Sequence, residues 1–173
     1  MKTNFTQAKS WILSAINDIN RVLNSLKRKD FADVAFRSQF AVEKLNKAAL
    51  NLLGVKIEKT HTPIKILKSI ILDEKTLDNE ESTKENLLNI ISYSGLFEDE
   101  GVKTRYGIFK EEVLMIPEQI YTSFENIRQF ILNLQKIVDL YLILWNETFN
   151  INEIEFKELK ELKKLNKKLR KWI

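Results

Sequence analysis

The chain has 173 residues and a formal charge of +4, with 44% hydrophobic and 30% charged residues, a balance that suits one soluble globular domain with a real core. Only four Gly and two Pro are present, too few turn residues for a sandwich, a barrel or a Gly-loop nucleotide fold. With no Cys, disulfides, zinc–thiolate sites and thiol nucleophiles are excluded, and a cytoplasmic location is the default expectation.

A first helix is predicted over residues 4–28. Phe5, Ala8, Trp11, Ile12, Ala15, Ile19, Val22 and Leu26 recur at three- and four-residue steps, which put them on one face. Lys27-Arg28-Lys29 closes it with cations at the negative end of the helix dipole. Asp30 then reads as the N-cap of a second helix over 31–53, with Phe31, Val34, Ala41, Leu45, Ala48 and Leu52 as its seam. So short a connector makes the first two helices an antiparallel hairpin.

Gly54 reads as the stop of the second helix, because a left-handed residue there is cheap only for Gly. Thr62-Pro63 reads as N-cap and N1 of a short third helix ending near Leu72. Residues 73–82 are polar and read as a loop. A fourth helix is expected from about Thr83 to Tyr93, stopped by Gly95, and residues 97–116 are expected to be irregular. Pro117 opens a long fifth helix to about Phe149, with Ile120, Phe124, Ile127, Ile131, Leu134, Val138, Tyr141 and Trp145 on its seam. The last helix, from about Ile154, carries Leu159, Leu162, Leu165, Leu169 and Trp172 in a narrow stripe among Lys and Glu.

The positive charge is local. Residues 153–173 hold eight Lys/Arg and four Glu, and the other 152 residues hold twenty of each sign. A neutral body with a basic tail lacks the broad electrostatic footprint of a nucleic-acid binder. The tail helix has three readings: packing on its own bundle or a partner, binding nucleic acid, or lying on a membrane. No run approaches the ~18 apolar residues of a membrane span, and no membrane association of the body is expected.

Catalytic templates are scarce. There is no GxSxG elbow, Walker loop or GxGxxG, and no cofactor is expected. One His rules out a His-rich metal site. Glu98-Asp99-Glu100 reads as a solvated loop cluster, with cation binding as the sharper alternative, and no metal is expected. His61 titrates near neutrality and reads either as a general base or ligand contact, or as a loop histidine bonded to nearby backbone. Arg37, Lys44 and Asn51 are spaced by seven and share a polar stripe of the second helix. That stripe suits a phosphate if it faces a cleft and is a solvated face otherwise. Glu43 with Lys47 is a favourable i, i+4 pair.

The order of Asp30-capped helix, Gly54, Thr60-His61-Thr62-Pro63 and short helix resembles the HEPN family (higher eukaryotes and prokaryotes nucleotide-binding domain). Thr104-Arg105-Tyr106-Gly107 completes the resemblance, since related proteins carry an Arg-Tyr-Pro-like element before their last long helix. Gly107 stands in place of the Pro. The resemblance implies an all-α, up-and-down antiparallel bundle over residues 1–150, with a C-terminal helical extension over 151–173. It also implies ligand contacts from Arg105, by bidentate bonding to a phosphate, and from Tyr106, by stacking on a base. Packing of Tyr106 into the bundle and bonding of Arg105 to helix-end carbonyls is the structural alternative.

Ribonuclease members of the family use an Arg followed by four to six residues and a His. After Arg37, Arg105 and Arg128 those positions hold Val42, Glu43 or Lys44; Lys110, Glu111 or Glu112; and Asn133, Leu134 or Gln135. No His follows, so the family's acid–base role is not carried over. The resemblance then implies a non-catalytic nucleotide- or RNA-associated binding and assembly module, with half of a toxin–antitoxin-like pair, beside a minimal nucleotidyltransferase partner, as its expected setting. A degenerate ribonuclease using Arg105, Tyr106 and His61 and a purely structural helical protein are the alternatives. Surplus apolar residues (Phe36 and Phe40; Phe130, Leu142 and Leu144) and the family's two-fold pairing imply a homodimer.

Overall fold

The computed structural model describes residues 4–55, 57, 60–72, 81–151 and 156–173. The helices are α1 (Phe5–Arg28), α2 (Phe31–Leu52), α3 (Pro63–Leu72), α4 (Glu81–Asp99), α5 (Gly101–Tyr106), α6 (Pro117–Ile120), α7 (Phe124–Glu147) and α8 (Lys157–Leu169), the last continued by one 3-10 turn. A two-residue turn joins β1 (Ile108–Lys110) to β2 (Val113–Met115). The fold is an all-α bundle in which α1, α2, α4 and α7 alternate up and down.

The punctuation acts where the sequence places it. Asp30 accepts the Asp33 N–H at 3.1 Å and starts α2. Gly54 takes φ 75° just past α2, and Val55 N–H closes back on the Leu50 carbonyl at 2.9 Å. Lys29 adopts the left-handed conformation at φ 60°, so the α1–α2 turn closes without a glycine. The expected seams of α1, α2 and α7 are buried almost throughout.

Four expectations are corrected. Gly95 does not stop the fourth helix, which runs on to Asp99. A mid-helix glycine costs only ~1 kcal/mol. Burying Phe97 edge-on against Phe130, with ring centroids 5.6 Å apart, outweighs that. Residues 97–116 are not irregular. They hold the end of α4, then α5 and the hairpin, whose three-residue strands are too short to show alternation. The acidic cluster sits at a helix junction and not in a loop: Glu98 Oε1 accepts the Ile64 N–H at 3.1 Å, and Glu100 accepts the Tyr121 hydroxyl at 2.7 Å. The fifth helix is not continuous from Pro117. It breaks at 121–123, where Tyr121 turns inward and Asn126 Oδ1 accepts the N–H groups of Thr122 and Ser123 at 3.2 and 3.1 Å. The loop expected at 73–80 and the start of the last helix near Ile154 lie outside the described residues.

Buried polar groups tie the helices together. Tyr141, fully buried, donates to Asn46 Oδ1 at 2.5 Å, and Asn46 Nδ2 donates to Ser94 Oγ at 3.4 Å. Burial holds the Tyr141 phenol well above its ordinary range, so it remains a donor.

The α8 stripe packs on its own chain, against α1 and α7. Leu159, Leu162, Leu165 and Leu169 are buried in the same core, and Arg170 forks onto Asp139 of α7 with both bonds at 2.8 Å. Among the surplus apolar residues, Phe130 and Leu144 are buried within the chain, so they are not free for a second surface. Phe36 and Phe40 lie against each other at 4.7 Å, with Arg37 and Lys44 over their rings at 5.1 and 5.5 Å. Among the described residues no helix is long and apolar enough to cross a membrane.

Candidate functional site

The polar residues of α2 fall on two faces with different partners. Arg37 and Lys44 point at α1. Both meet the buried carboxylate of Asp18, Arg37 at 3.5 Å, and Arg37 Nε also bonds Asp33 at 3.2 Å. Asn51 is buried and donates to the Lys47 carbonyl at 2.9 Å. The stripe read from the sevenfold spacing is therefore a neutralised α1–α2 seam, and only Arg37 reaches the edge of a cleft.

The second face, Gln39, Glu43 and Lys47, meets α5 and the loop after α2. Glu43 is the hub. Its carboxylate, 8% exposed, holds Lys47 Nζ at 2.7 Å, Arg105 at 3.3 Å and His61 Nδ1 at 3.4 Å. Gln39 Oε1 accepts from Thr104 Oγ1 at 3.0 Å and Arg105 Nε at 3.4 Å, while the guanidinium lies over Phe40 at 5.0 Å. Lys47 in turn sits under Trp11 at 4.9 Å. Three basic side chains from three segments thus share one acid. The i, i+4 pair Glu43–Lys47 has more than a helix-surface role, and long-range folding alone reveals it. His61 Nδ1 stands 3.4 Å from the Glu43 carboxylate, a side chain and not the backbone group expected, and 73% of its side chain is exposed.

Beside this hub Glu98 faces the same corner, half-buried, with its pKa raised above 4.5 chiefly by burial, against the lowering effects of the Ile64 N–H, Lys65 and Lys68. The folded chain therefore holds the Glu98 proton more tightly than the unfolded chain does. Its share of stability is present below pH 4.5 and is lost as pH rises through the raised folded value. Glu98→Gln keeps an acceptor for Ile64 and removes the titration. Melting temperatures across that range are expected to fall less with rising pH in the variant than in the parent, and identical profiles would refute the assignment.

On the far side of Arg105 lies an open cleft of about 820 Å3 between the end of α1, the start of α2, and α5–α6. Arg21, Arg28, Arg37, Arg105 and Tyr106 line it, with Asp30, Asp33 and Glu118 at its edges. Among the described residues Arg21 has no ion pair, and Arg28 bonds only the Ser25 hydroxyl at 3.2 Å. Tyr106 is not packed into the bundle; it is 68% exposed at the rim. Arg21, Asn24 and Arg28 recur at i, i+3, i+7, a spacing that marks one face and that reading for apolar seams alone passes over. Among the described residues no group of three or more His, Asp or Glu is gathered to hold a metal ion.

Of the expected site residues, the structure brings Arg105 and His61 to one carboxylate, sets Tyr106 beside Arg105 at the cleft, and keeps Lys44 apart on Asp18. No solved structure matches the chain. The chain is 28% identical over 151 residues to "Putative toxin MJ1304" of Methanocaldococcus jannaschii, an alignment covering 87% of this chain and 96% of that relative. The family model for the HEPN domain matches residues 8–144, nearly the whole bundle, and the chain belongs to the HEPN domain family.

Proposed function

We propose that this protein is a non-catalytic nucleotide- or RNA-binding module whose ligand lies in the arginine-lined cleft. The observation that carries the reading is the convergence of four Arg and the exposed Tyr106 on one cavity, in a body whose charge is otherwise balanced. Among the described residues Arg21 and Arg28 are the cleft guanidinium groups without a carboxylate partner, so they meet phosphates. Arg37 and Arg105 are already held and shape the wall. Tyr106 offers its ring to a base. The volume is within the ~300–1,000 Å3 of small-ligand sites. The toxin name of the relative supports a toxin–antitoxin-like setting; the minimal nucleotidyltransferase as the partner in that pair is our inference from the family resemblance alone.

Fluorescence anisotropy with a short labelled single-stranded RNA tests the reading. Arg21→Ala with Arg28→Ala is expected to weaken binding about tenfold or more and to reduce the salt slope by about one for each phosphate no longer neutralised. Tyr106→Ala should cost about 1–3 kcal/mol of stacking. A thermal-shift screen of nucleotides supports the same site if a ligand at 100 times its dissociation constant stabilises by about 2.7 kcal/mol. RNA binding unchanged in both the double-arginine and the tyrosine variant refutes the cleft. Incubation with single-stranded and transfer RNA is expected to give no cleavage above buffer. Cleavage abolished by Arg105→Ala or His61→Ala would establish the ribonuclease alternative.

A further inference from the structure

The outer face of α8 carries one sign of charge. Its inner stripe, Leu159, Leu162, Leu165 and Leu169, is buried against α1 and α7, so the orientation of the helix is fixed. Lys157, Lys160, Lys164, Lys167 and Lys171 recur at steps of three and four on the opposite side, and all five are exposed. The two acids of the helix stand at the edge of this face, where Glu158 meets Lys9 at 3.5 Å and Glu161 meets Lys164 at 3.7 Å. Among the described residues Lys157, Lys160, Lys167 and Lys171 have no carboxylate partner. Residues 163–171 hold five Lys and one Arg and no acid. A face that served solubility alone would interleave Glu with Lys, because like charges three and four apart destabilise a helix and opposite ones support it. The helix dipole accounts for cations in the last turn only.

We propose that this face is a track for the phosphate backbone of single-stranded RNA, continuing the arginine-lined cleft, so that the ligand is an RNA strand and not a free nucleotide. The choice of RNA rests on the cleft reading, and the choice of a polyanion rests on α8 itself. A membrane does not suit the helix, since the apolar stripe that would enter it lies in the core. A protein partner does not suit it either. The centres of protein interfaces are apolar and aromatic and are depleted in Lys, and the exposed stripe is Lys alone. Backbone phosphates ask only for cations at regular intervals, which flexible lysines supply.

The direction of α8 joins the track to the cleft. Ile151 N–H meets the Trp145 carbonyl at 2.9 Å, and farther along α8 Asn166 and Arg170 reach back to Asp139 of α7. α8 is thus antiparallel to α7 and parallel to α1. Glu158 stands beside Lys9, and twelve residues along either helix span ~18 Å. Arg170 therefore comes level with Arg21, the first arginine of the cleft. From Lys157 to Lys171 the stripe is ~21 Å long, and its far end is the end nearer the cleft.

Fluorescence anisotropy with labelled oligouridine of about 4 and about 16 nucleotides separates the track from the cleft. Lys157→Gln, Lys160→Gln, Lys167→Gln and Lys171→Gln together remove four charges and keep good helix formers. This variant is expected to bind the long strand about tenfold or more weakly at physiological salt, with the salt slope reduced by about 3, or about 0.7 for each lysine. It should bind the short strand as the parent does. The same four Lys changed to Arg should keep the parent affinity, because charge alone is read. Both variants are expected to melt within about a degree or two of the parent. Arg21→Ala with Arg28→Ala should weaken both lengths. A glutamine variant that binds the long strand like the parent overturns the track and leaves the cleft standing, and equal losses at both lengths overturn it as a mere change of net charge. Loss of the long strand in the glutamine variant, with no effect of the arginine pair at either length, sinks the cleft and keeps the track. Polyglutamate of matched charge bound more tightly than the long strand, and lost in the glutamine variant, would assign the face to an acidic protein and overturn the RNA track.

Discussion

Removal of residues 153–173 is expected to abolish the cooperative melting transition. Leu159, Leu162, Leu165 and Leu169 are at most 3% exposed, and the three in the middle and end of the helix are fully buried. At about 1.5–3 kcal/mol each, their loss totals roughly 6–12 kcal/mol, an upper figure because the unfolded chain already buries part of this surface. That is comparable to the whole stability of a domain, about 5–15 kcal/mol. The cut also uncovers the faces of α1 and α7 that receive the stripe. Melting followed by circular dichroism decides it, and a truncated chain that melts like the parent refutes the packing role. The lysines of α8 are a different matter. Replacing the exposed Lys160 and Lys167 with Ser should leave the melting temperature within about a degree or two, since solvated charges contribute little.

Glu43→Ala is expected to cost about 3–5 kcal/mol, the usual consequence of removing one member of a buried ion pair. Lys47, with 9% of its side chain exposed, would lose its carboxylate while covered by Trp11. Adding Lys47→Met removes the stranded charge and should recover most of the loss, whereas two independent surface residues would simply add. Urea unfolding of the single and double variants measures the coupling. A cost under about 1 kcal/mol in Glu43→Ala would show that the hub is not structural. The same variant frees Arg105 from its acid, so RNA binding measured alongside reports whether Glu43 restrains that guanidinium.

Much of this architecture is legible in the sequence because the signals are local and strong. Asp30, Gly54 and Thr62-Pro63 fix helix ends through backbone conformation, and the seams of α1, α2 and α7 repeat over the full length of each helix. The misread region, 95–123, fails for a tertiary reason. Phe97 carries α4 through Gly95 because Phe130 waits on α7, and Tyr121 breaks the last long helix because Glu100 receives its hydroxyl. Neither partner is visible at a three- or four-residue spacing. The candidate site is legible one half at a time. Arg105, Tyr106 and His61 announce themselves by the family pattern, but Glu43 looks like an ordinary helix-surface acid until 62 residues of chain return Arg105 to it. Arg37 and Lys44 mislead in the opposite sense, because a polar stripe does not say which neighbour neutralises it.

Gly107 decides where the chain goes after α5. It sits at φ +78°, donates its N–H to the Lys103 carbonyl at 3.0 Å, and a Cβ there would fall 1.9 Å from the Met115 carbonyl oxygen. Proline, fixed near φ ~−65° and lacking the N–H, can satisfy none of these conditions. Proline at this position would turn the chain out of α5 in another direction, so the placement of the β1–β2 hairpin beside Arg105 and Tyr106 depends on glycine here.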